Sequence, residues 1–120
     1  MHAEAQAMQS RFLQGVFEFA GQGLQRPFRL SEKLRYKVPA DKRAQMLYFR
    51  AGNSSDALIY FVLMQNDEPK RYFSIGARSD THVTLAITED FEAGESCELQ
   101  LAAPENVSGC VVLDAGFMEF

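Results

Sequence analysis

The chain contains few of the residues from which catalytic and metal sites are usually built. Among its 120 residues there are two histidines, two cysteines and no tryptophan. Zinc sites need several His or Cys ligands at short spacings, and nucleophilic catalysis needs a base that a third group orients. His82 is the only histidine away from the N-terminus, and Ser79 and Asp80 lie beside it. Because catalytic groups normally converge from separate elements, we expect a polar turn here and no enzyme activity.

Long apolar runs and a secretion signal are also missing. No apolar run approaches the ~20 residues that a membrane helix requires. The first ten residues, MHAEAQAMQS, lack the basic start and apolar centre of a signal peptide. We therefore expect a cytoplasmic protein without a membrane partner. In that compartment Cys97 and Cys110 are expected to be free thiols, with one disulfide as the alternative.

Motifs for hard cations and phosphates are absent as well. Four carboxylates crowd one segment around Gly94, namely Glu89, Asp90, Glu92 and Glu95. Their spacing is not that of a calcium-binding EF-hand loop, so we expect a solvated acidic loop. No phosphate loop or dinucleotide fingerprint occurs. The sequence thus predicts no metal and no cofactor.

Positive charge is absent from the last third of the chain. Residues 79–120 contain nine acids and no Lys or Arg, whereas eight of the twelve cations fall between Arg26 and Arg50. The net charge of −4 therefore hides a steep gradient. Such a gradient serves folding, when basic strands pair with acidic ones, or association, when a basic face docks on an acidic partner. The sequence leaves both uses open.

What the chain does contain is strand periodicity. From Phe28 to Val38 apolar residues alternate with polar ones, and Glu32 is the one break in the apolar set, which predicts a strand. Its polar face carries the first candidate binding site, made of Arg29, Lys33, Arg35 and Lys37. The competing interpretation pairs these cations with acids on neighbouring strands. A pI of about 5.1, with aromatics facing the core, disfavours nucleic acid as a partner.

Further segments of this kind, separated by turn-forming residues, predict the whole fold. Strands are expected near residues 45–50, 58–64, 71–75, 83–87, 97–101 and 110–113, with a last short one at 116–120. The fold class is therefore all-β, an antiparallel β-sandwich or small jelly roll with seven to eight short strands. One domain is expected over residues 12–120, after a flexible tail at 1–11.

The N-terminal segment allows two interpretations. Residues 3–14 contain helix formers and would suit a short helix. However, GVFEF at 15–19 echoes GFMEF at 116–120, and the first and last strands of a sandwich often lie side by side. A strand over about 12–19 is therefore preferred, with the helix as the alternative.

Polar loops supply the second candidate site. The segments AGNSSD, GARSD and AAPENVSG would meet at one end of a sandwich and offer hydrogen-bonding side chains to a small ligand or carbohydrate. The residues concerned are Asn53, Ser54, Asp56, Arg78, Asp80 and Asn106. The preferred prediction is a non-enzymatic module that associates with itself or with another protein through the basic strand face and the acidic C-terminal half. A small-ligand or carbohydrate-binding module is the alternative.

Three stretches also resemble a known group of proteins. They are YFRAGNSSD at 48–56, AAPENVSG at 102–109 and VVLDAG at 111–116. These are similar to segments of short bacterial β-proteins labelled molybdopterin oxidoreductase. The resemblance includes no catalytic motif and no cofactor-binding signature. It implies an accessory or misnamed protein and assigns no functional residue.

Overall fold

The structure is a computed structural model that describes residues 8–120, with only the backbone described at Ile87 and Thr88. In this range the chain forms eight strands and one 3-10 turn. They are β1 (Gln9–Ala20), the 3-10 turn (Glu32–Leu34), β2 (Arg35–Lys37), β3 (Ala44–Asn53), β4 (Ile59–Gln65), β5 (Glu68–Ile75), β6 (Asp80–Phe91), β7 (Ser96–Ala102) and β8 (Ser108–Glu119). None of the described residues belongs to a helix that is long and apolar enough to span a membrane.

The strands form two antiparallel sheets of four strands each. Sheet A has the order β1-β8-β3-β6, and sheet B has the order β2-β7-β4-β5. Successive strands lie in opposite sheets, except for the β4–β5 hairpin, whose two turn residues Asn66 and Asp67 both have positive φ. This is the connectivity of an eight-stranded jelly roll built from two Greek keys. The predicted all-β fold is confirmed.

The first and last strands lie side by side, as the echo between their sequences predicted. β1 and β8 pair from Gln9 opposite Glu119 to Ala20 opposite Ser108, without a register shift. β1 begins before the predicted start at residue 12, so residues 9–11 belong to the sheet and residues 9–14 are not helical. The rest of the proposed tail and helix, residues 1–7, lies outside the described part. β8 merges the two predicted strands at 110–113 and 116–120 into one.

The segment from 28 to 38 is the main correction to the predicted fold, because it is not one continuous strand. Phe28 forms an isolated bridge with Leu101, and Arg35 pairs with Glu98 where β2 begins. Arg35 lies seven positions after Phe28, whereas their partners Glu98 and Leu101 are three positions apart. The segment between the two pairings is therefore four residues longer than the matching part of β7. The 3-10 turn accommodates these extra residues.

A local hydrogen bond explains why the strand is interrupted. The hydroxyl oxygen of Ser31 accepts a hydrogen bond from the backbone N–H of Lys33, which caps the 3-10 turn. Because four is an even number, the interruption preserves the alternation of side chains. Leu34 and Val38 are fully buried, and Tyr36 packs on the core, so the predicted apolar face does point inward.

Aromatic side chains fill the space between the sheets. Phe49 of sheet A stacks on Phe73 of sheet B with ring centroids 4.3 Å apart, and Phe61 approaches it at 5.7 Å. Phe91 and Phe117 form a second cluster nearer the other end of the strands. Each such pair stabilises the fold by about 0.5–1.5 kcal/mol beyond the burial of area. With the inner faces occupied, the outer faces and edges of the sheets remain for binding.

Candidate functional site

The four predicted basic residues do not form a free cationic patch. Arg29 and Arg35 both bind the carboxylate of Glu98, with nitrogen–oxygen distances of 3.4 and 2.7 Å. Glu98 is only 3% exposed, so the two guanidinium groups compensate a buried charge. Lys33 and Lys37 are exposed, and neither forms an ion pair with another residue in the range 8–120. The competing interpretation, in which the cations pair with acids on neighbouring strands, therefore holds for Arg29 and Arg35.

Pairing between early cations and late acids recurs elsewhere in the molecule. Within residues 8–120, further ion pairs join cations that precede residue 79 to acids of residues 79–120, among them Arg11 with Glu119, Arg50 with Asp114, and Arg71 and Lys70 with Glu89. Strands that are distant in sequence bring these charges together. Part of the charge gradient along the chain therefore serves folding, which is the first of the two uses that the sequence left open.

A buried network ties the two sheets together beside β1 and β2. The carboxylate of Glu119 is 2% exposed and accepts hydrogen bonds from Nε and Nη2 of Arg11 at 3.2 and 3.1 Å. The hydroxyl of Tyr36, from sheet B, donates to the same carboxylate. The Arg11 guanidinium and this hydroxyl hold the pKa of Glu119 below its usual range. Burial and the neighbouring carboxylate raise the pKa of Tyr36. The network is structural, since its polar atoms satisfy one another.

The outer face of sheet A carries an open depression of about 880 Å³. Its floor consists of two rows of residues that lie side by side. Each row crosses the four strands and has one residue from each. One row is Gln14, Asp114, Arg50 and His82, and the other is Val16, Val112, Gly52 and Asp80. A Cβ added at Gly52 would meet nothing within 4 Å. The missing side chain at this central position therefore helps to make the depression.

Polar groups along the first row are held in fixed positions. Nη2 of Arg50 lies 2.6 Å from Oδ2 of Asp114, and the hydroxyl of Tyr48 donates to Oδ1 of Asp114 at 3.0 Å. Burial, followed by this hydrogen bond, raises the pKa of Tyr48. The Tyr48 ring lies over Gly116, where a Cβ would overlap it, and meets the His82 ring edge-on at 6.4 Å. Tyr48, beside the depression, thus helps to hold the lining residues Asp114 and His82 in place.

Exposed apolar side chains complete this face. Val16 is 69% exposed, Val112 is 54% exposed and Phe12 is 50% exposed. Phe12 lies opposite Gly116, so it extends the row to which Tyr48 belongs. Neighbouring exposed apolar groups of this kind mark interaction sites more often than isolated ones do. The face therefore combines apolar contact area with oriented donors and acceptors.

The depression continues toward the loops that formed the second candidate site. An adjoining hollow of about 500 Å³ shares Gly52, Asp80 and Val112 with it. Four of the six predicted loop residues, Asn53, Ser54, Arg78 and Asp80, line this hollow. The structure thus brings most of the predicted loop residues next to the outer face of sheet A. That face was not part of either predicted site.

The loop residues differ in how much of their bonding capacity is used. The Asn53 amide donates to the carbonyls of Ala57 and Gly76, and Asn53 is only 5% exposed. It therefore holds the loop in shape. Asp56 forms an ion pair with Arg78, whose φ of 51° is left-handed.

Asn106, the sixth member of the set, lies apart from this hollow. It has a φ of 66°, in the turn between β7 and β8. The residue serves as a turn former, because Asn tolerates the left-handed region better than most side chains do.

The residues considered for catalysis and for metal binding contact different partners and do not converge on one site. The Ser79 hydroxyl donates to the carbonyl of Gly76, whereas His82 faces Tyr48 on the sheet. Glu89 binds Arg71. Within residues 8–120 no group of three or more His, Cys, Asp or Glu is arranged to hold a metal ion. Cys97 and Cys110 are free thiols.

The predicted acidic loop at 89–95 is partly wrong. β6 extends to Phe91, which is fully buried, because this aromatic residue is drawn into the core. Only residues 92–95 form the turn to β7. Glu95 is fixed there, since its carboxylate accepts hydrogen bonds from Gln65 and from the backbone N–H of Glu92.

Comparisons with known proteins give a fold likeness and no family. No protein-family model and no curated protein matches the chain. One similar solved structure is the CBM36-1 domain of a multidomain xylanase from the hindgut metagenome of Trinervitermes trinervoides. The identity is 15% and the TM-score 0.47, over 92% of this chain and 96% of that domain.

A second similar structure is the insecticidal delta-endotoxin Cry8Ea1 of Bacillus thuringiensis. The identity is 7% and the TM-score 0.40, over 70% of this chain and 17% of the endotoxin, so the chain spans a small part of that protein. Both TM-scores are low, and neither likeness carries a functional argument. The likeness to proteins labelled molybdopterin oxidoreductase stays a prediction.

The outer face of sheet A was not predicted as a binding site, although the sequence contains one signal for it. In β1 apolar residues occupy both faces, since Phe12 and Leu13 are adjacent, and so are Val16 and Phe17. Leu13 and Phe17 point toward the core, which leaves Phe12 and Val16 exposed. A strand that is apolar on both faces indicates contact on its outer side as well.

Proposed function

We propose that this domain is a non-catalytic binding module that takes a neutral, hydroxyl-rich ligand, such as a segment of a saccharide chain, on the outer face of sheet A. The observation that carries the proposal is the depression centred on Gly52. Apolar side chains and fixed hydrogen-bonding groups lie side by side there. Sugar rings present the same combination, because C–H faces alternate with hydroxyls that both donate and accept.

The balance of charge favours a neutral ligand over a polyanion. The cations lining the two adjoining hollows are Arg50 and Arg78, and the acids are Asp80 and Asp114. Arg50 is bound to Asp114, and Arg78 is bound to Asp56 outside the hollows. Little unpaired positive charge therefore faces the ligand. A polyanion site would need such charge along its whole length.

The size of the face suits a short oligomer. Four strands about 4.8 Å apart, with usable rows from residue 12 to residue 18 of β1, give a surface of roughly 15 by 20 Å. Such an area would hold about three sugar rings, each contacting a mixture of apolar and polar residues. Val16 and Val112 would lie under the ring faces, and Gln14 and His82 would meet the hydroxyls.

Substitution at Gly52 tests this proposal with little risk to the fold. Gly52 lies in a strand, its φ is not left-handed and the space beside it is open, so Gly52→Leu should be tolerated. The leucine side chain would fill the centre of the depression. We expect affinity for neutral oligosaccharides of glucose, xylose, mannose or galactose, measured by calorimetry, to fall about tenfold or more, with Tm unchanged.

A matched control introduces the same side chain on the other sheet. Ser74 is exposed on β5, so Ser74→Leu should leave both affinity and Tm unchanged. If none of the four sugar series binds the unaltered chain, or if both leucine variants weaken binding equally, the proposal is wrong.

Docking on an acidic partner through Arg29, Lys33, Arg35 and Lys37 is a second proposal. It is supported by Lys33 and Lys37, which are exposed and unpaired among residues 8–120. Light scattering at low and high salt tests its self-associating form, because exposed charges are screened beyond about 8–10 Å at physiological ionic strength. A complex of basic and acidic faces should dissociate in high salt, and a monomer in both conditions would rule it out.

A further inference from the structure

The four sheet edges of this molecule differ in how well they are protected against pairing with another chain. Edge strands expose unpaired backbone groups, and natural proteins protect them with short strands, proline, lysine, charge or bulges. β2 has three residues. β5 contains Pro69 and Lys70 and meets β4 across a register shift. β6 carries acids at both ends and meets β3 across a register shift.

β1 has fewer of these devices, and Glu18 is its one exposed acid. It is twelve residues long, contains no proline or lysine and pairs with β8 without a register shift. Its one cation, Arg11, is held by Glu119. Among residues 8–120, β1 makes no backbone hydrogen bond outside its pairing with β8. One side of the strand therefore keeps its backbone donors and acceptors free.

We infer that β1 pairs antiparallel with β1 of a second copy of this chain, so that two sheets A join into one eight-stranded sheet. The partner is a second copy because the exposed side chains of β1 complement themselves under a two-fold axis. This inference rests on the edge of sheet A and does not depend on a saccharide ligand.

The complementarity fixes the register. With the axis at Gln14, Phe12 of each chain lies opposite Val16 of the other, and Gln14 lies opposite its own copy. Both apolar residues are at least half exposed in the single chain, so their contact covers apolar surface twice per dimer. Shifting the axis to Leu13 or Gly15 would place Phe12 opposite Gln14 or Glu18. Those registers leave the apolar groups facing polar ones.

The inner face of the seam is compatible with the same register. Leu13 would lie opposite Gly15 of the partner, where the Phe17 ring covers the glycine, so Leu13 would pack beside that ring. Residues 9–19 would pair with residues 19–9 of the partner, giving about ten backbone hydrogen bonds. Since Gln14 and Val16 also line the depression, the two depressions of a dimer would meet at the seam.

Sedimentation of the full chain over a range of concentrations tests the interface. We expect a monomer–dimer equilibrium in which Val16→Lys raises the dissociation constant at least tenfold, because two lysines would face two phenylalanines. Tyr72→Lys is the matched control, since Tyr72 is 63% exposed on sheet B and Val16 is 69% exposed. Circular dichroism checks that both variants fold. A chain that stays monomeric at millimolar concentration, or an equal effect of both lysines, overturns the inference.

Cysteine cross-linking tests the register independently. In a Cys110→Ser background, Gln14→Cys should form a disulfide-linked dimer on mild oxidation, because directly opposite Cα atoms lie about 4.5–5.5 Å apart. Glu18→Cys should not, since the two copies of residue 18 would be about 27 Å apart along the strands. Rapid cross-linking through residue 18 with none through residue 14 would overturn the assignment of the axis to Gln14.

Discussion

Two edges on the same side of the sandwich are built in opposite ways. The edge of sheet B, formed by residues 28–37, is interrupted by a 3-10 turn. Its arginines form ion pairs with the buried Glu98. The edge of sheet A, strand β1, is continuous, nearly uncharged and apolar on both faces. Arg29 and Arg35, two of the cations of the conspicuous basic segment, therefore stabilise the fold. We propose that binding takes place at the less conspicuous strand and at the sheet face beside it.

The largest effect is expected at the network that ties the two edges together. Glu119→Gln removes the charged acceptor that Arg11 and Tyr36 share and should lower the free energy of unfolding by about 3 kcal/mol, the upper end for hydrogen bonds to a charged group. Arg11 is partly exposed, which limits the loss. Urea denaturation measures the change. Glu18→Gln, at an exposed position on β1, is the control and should cost less than about 0.5 kcal/mol.

A smaller effect is expected at the edge of sheet B. Glu98→Gln should cost about 2 kcal/mol, because Arg29 and Arg35 lose a charged acceptor but can turn to water. Urea denaturation again measures the loss, and the result sharpens the comparison. If the substitution is neutral, the basic residues of this edge are not committed to folding, and the docking proposal gains weight.

The pH dependence of stability should show a still smaller effect with a defined sign. The pKa of Glu119 is lowered in the folded chain, so its contribution is present above the ordinary Glu value and is lost as pH falls through the folded pKa. The loss should be smaller than for Glu119→Gln, since it is set only by the difference between the folded and unfolded pKa values of this one carboxyl. Thermal unfolding between pH 7 and pH 2 should be flatter for the variant than for the unaltered chain.

Tyr36 should act on the alkaline side of the same profile. Its pKa is raised by burial and by Glu119, so its contribution is complete below the ordinary Tyr value and is lost as pH rises through the folded pKa. Tyr36→Phe should remove this limb and also reduce the acid one, because the Tyr36 hydroxyl helps to lower the pKa of Glu119. An unchanged alkaline limb would show that Tyr36 does not donate to Glu119.

Much of the fold could be predicted because alternation records which side of a strand is buried. It predicted the sandwich and the inward direction of Leu34 and Val38, whereas the echo between GVFEF and GFMEF predicted the pairing of β1 with β8. It could not predict the 3-10 turn, where the Ser31 hydroxyl competes locally with strand pairing. The break that Glu32 makes in the apolar set was the visible sign of that turn.

The candidate site could be predicted only in part, for a different reason. The loop residues Ser54, Arg78 and Asp80 could be identified from turn chemistry alone. The depression depends on Gln14, Gly52 and Val112 meeting across neighbouring strands, which requires the strand order and register. Strand order and register cannot be predicted from the pattern within a single strand, because both depend on how segments distant in sequence align.

Amide chemical-shift mapping is the most direct test of the claim that sheet A, and not the basic segment, is the binding side of this domain. The labelled chain would be titrated with neutral hexasaccharides of glucose, xylose, mannose and galactose. We expect one of them to shift amides at Gln14, Gly52, His82 and Val112 while Lys33 and Lys37 stay unchanged. Shifts concentrated at Lys33 and Lys37, or none on sheet A with any of the four sugars, would contradict the account.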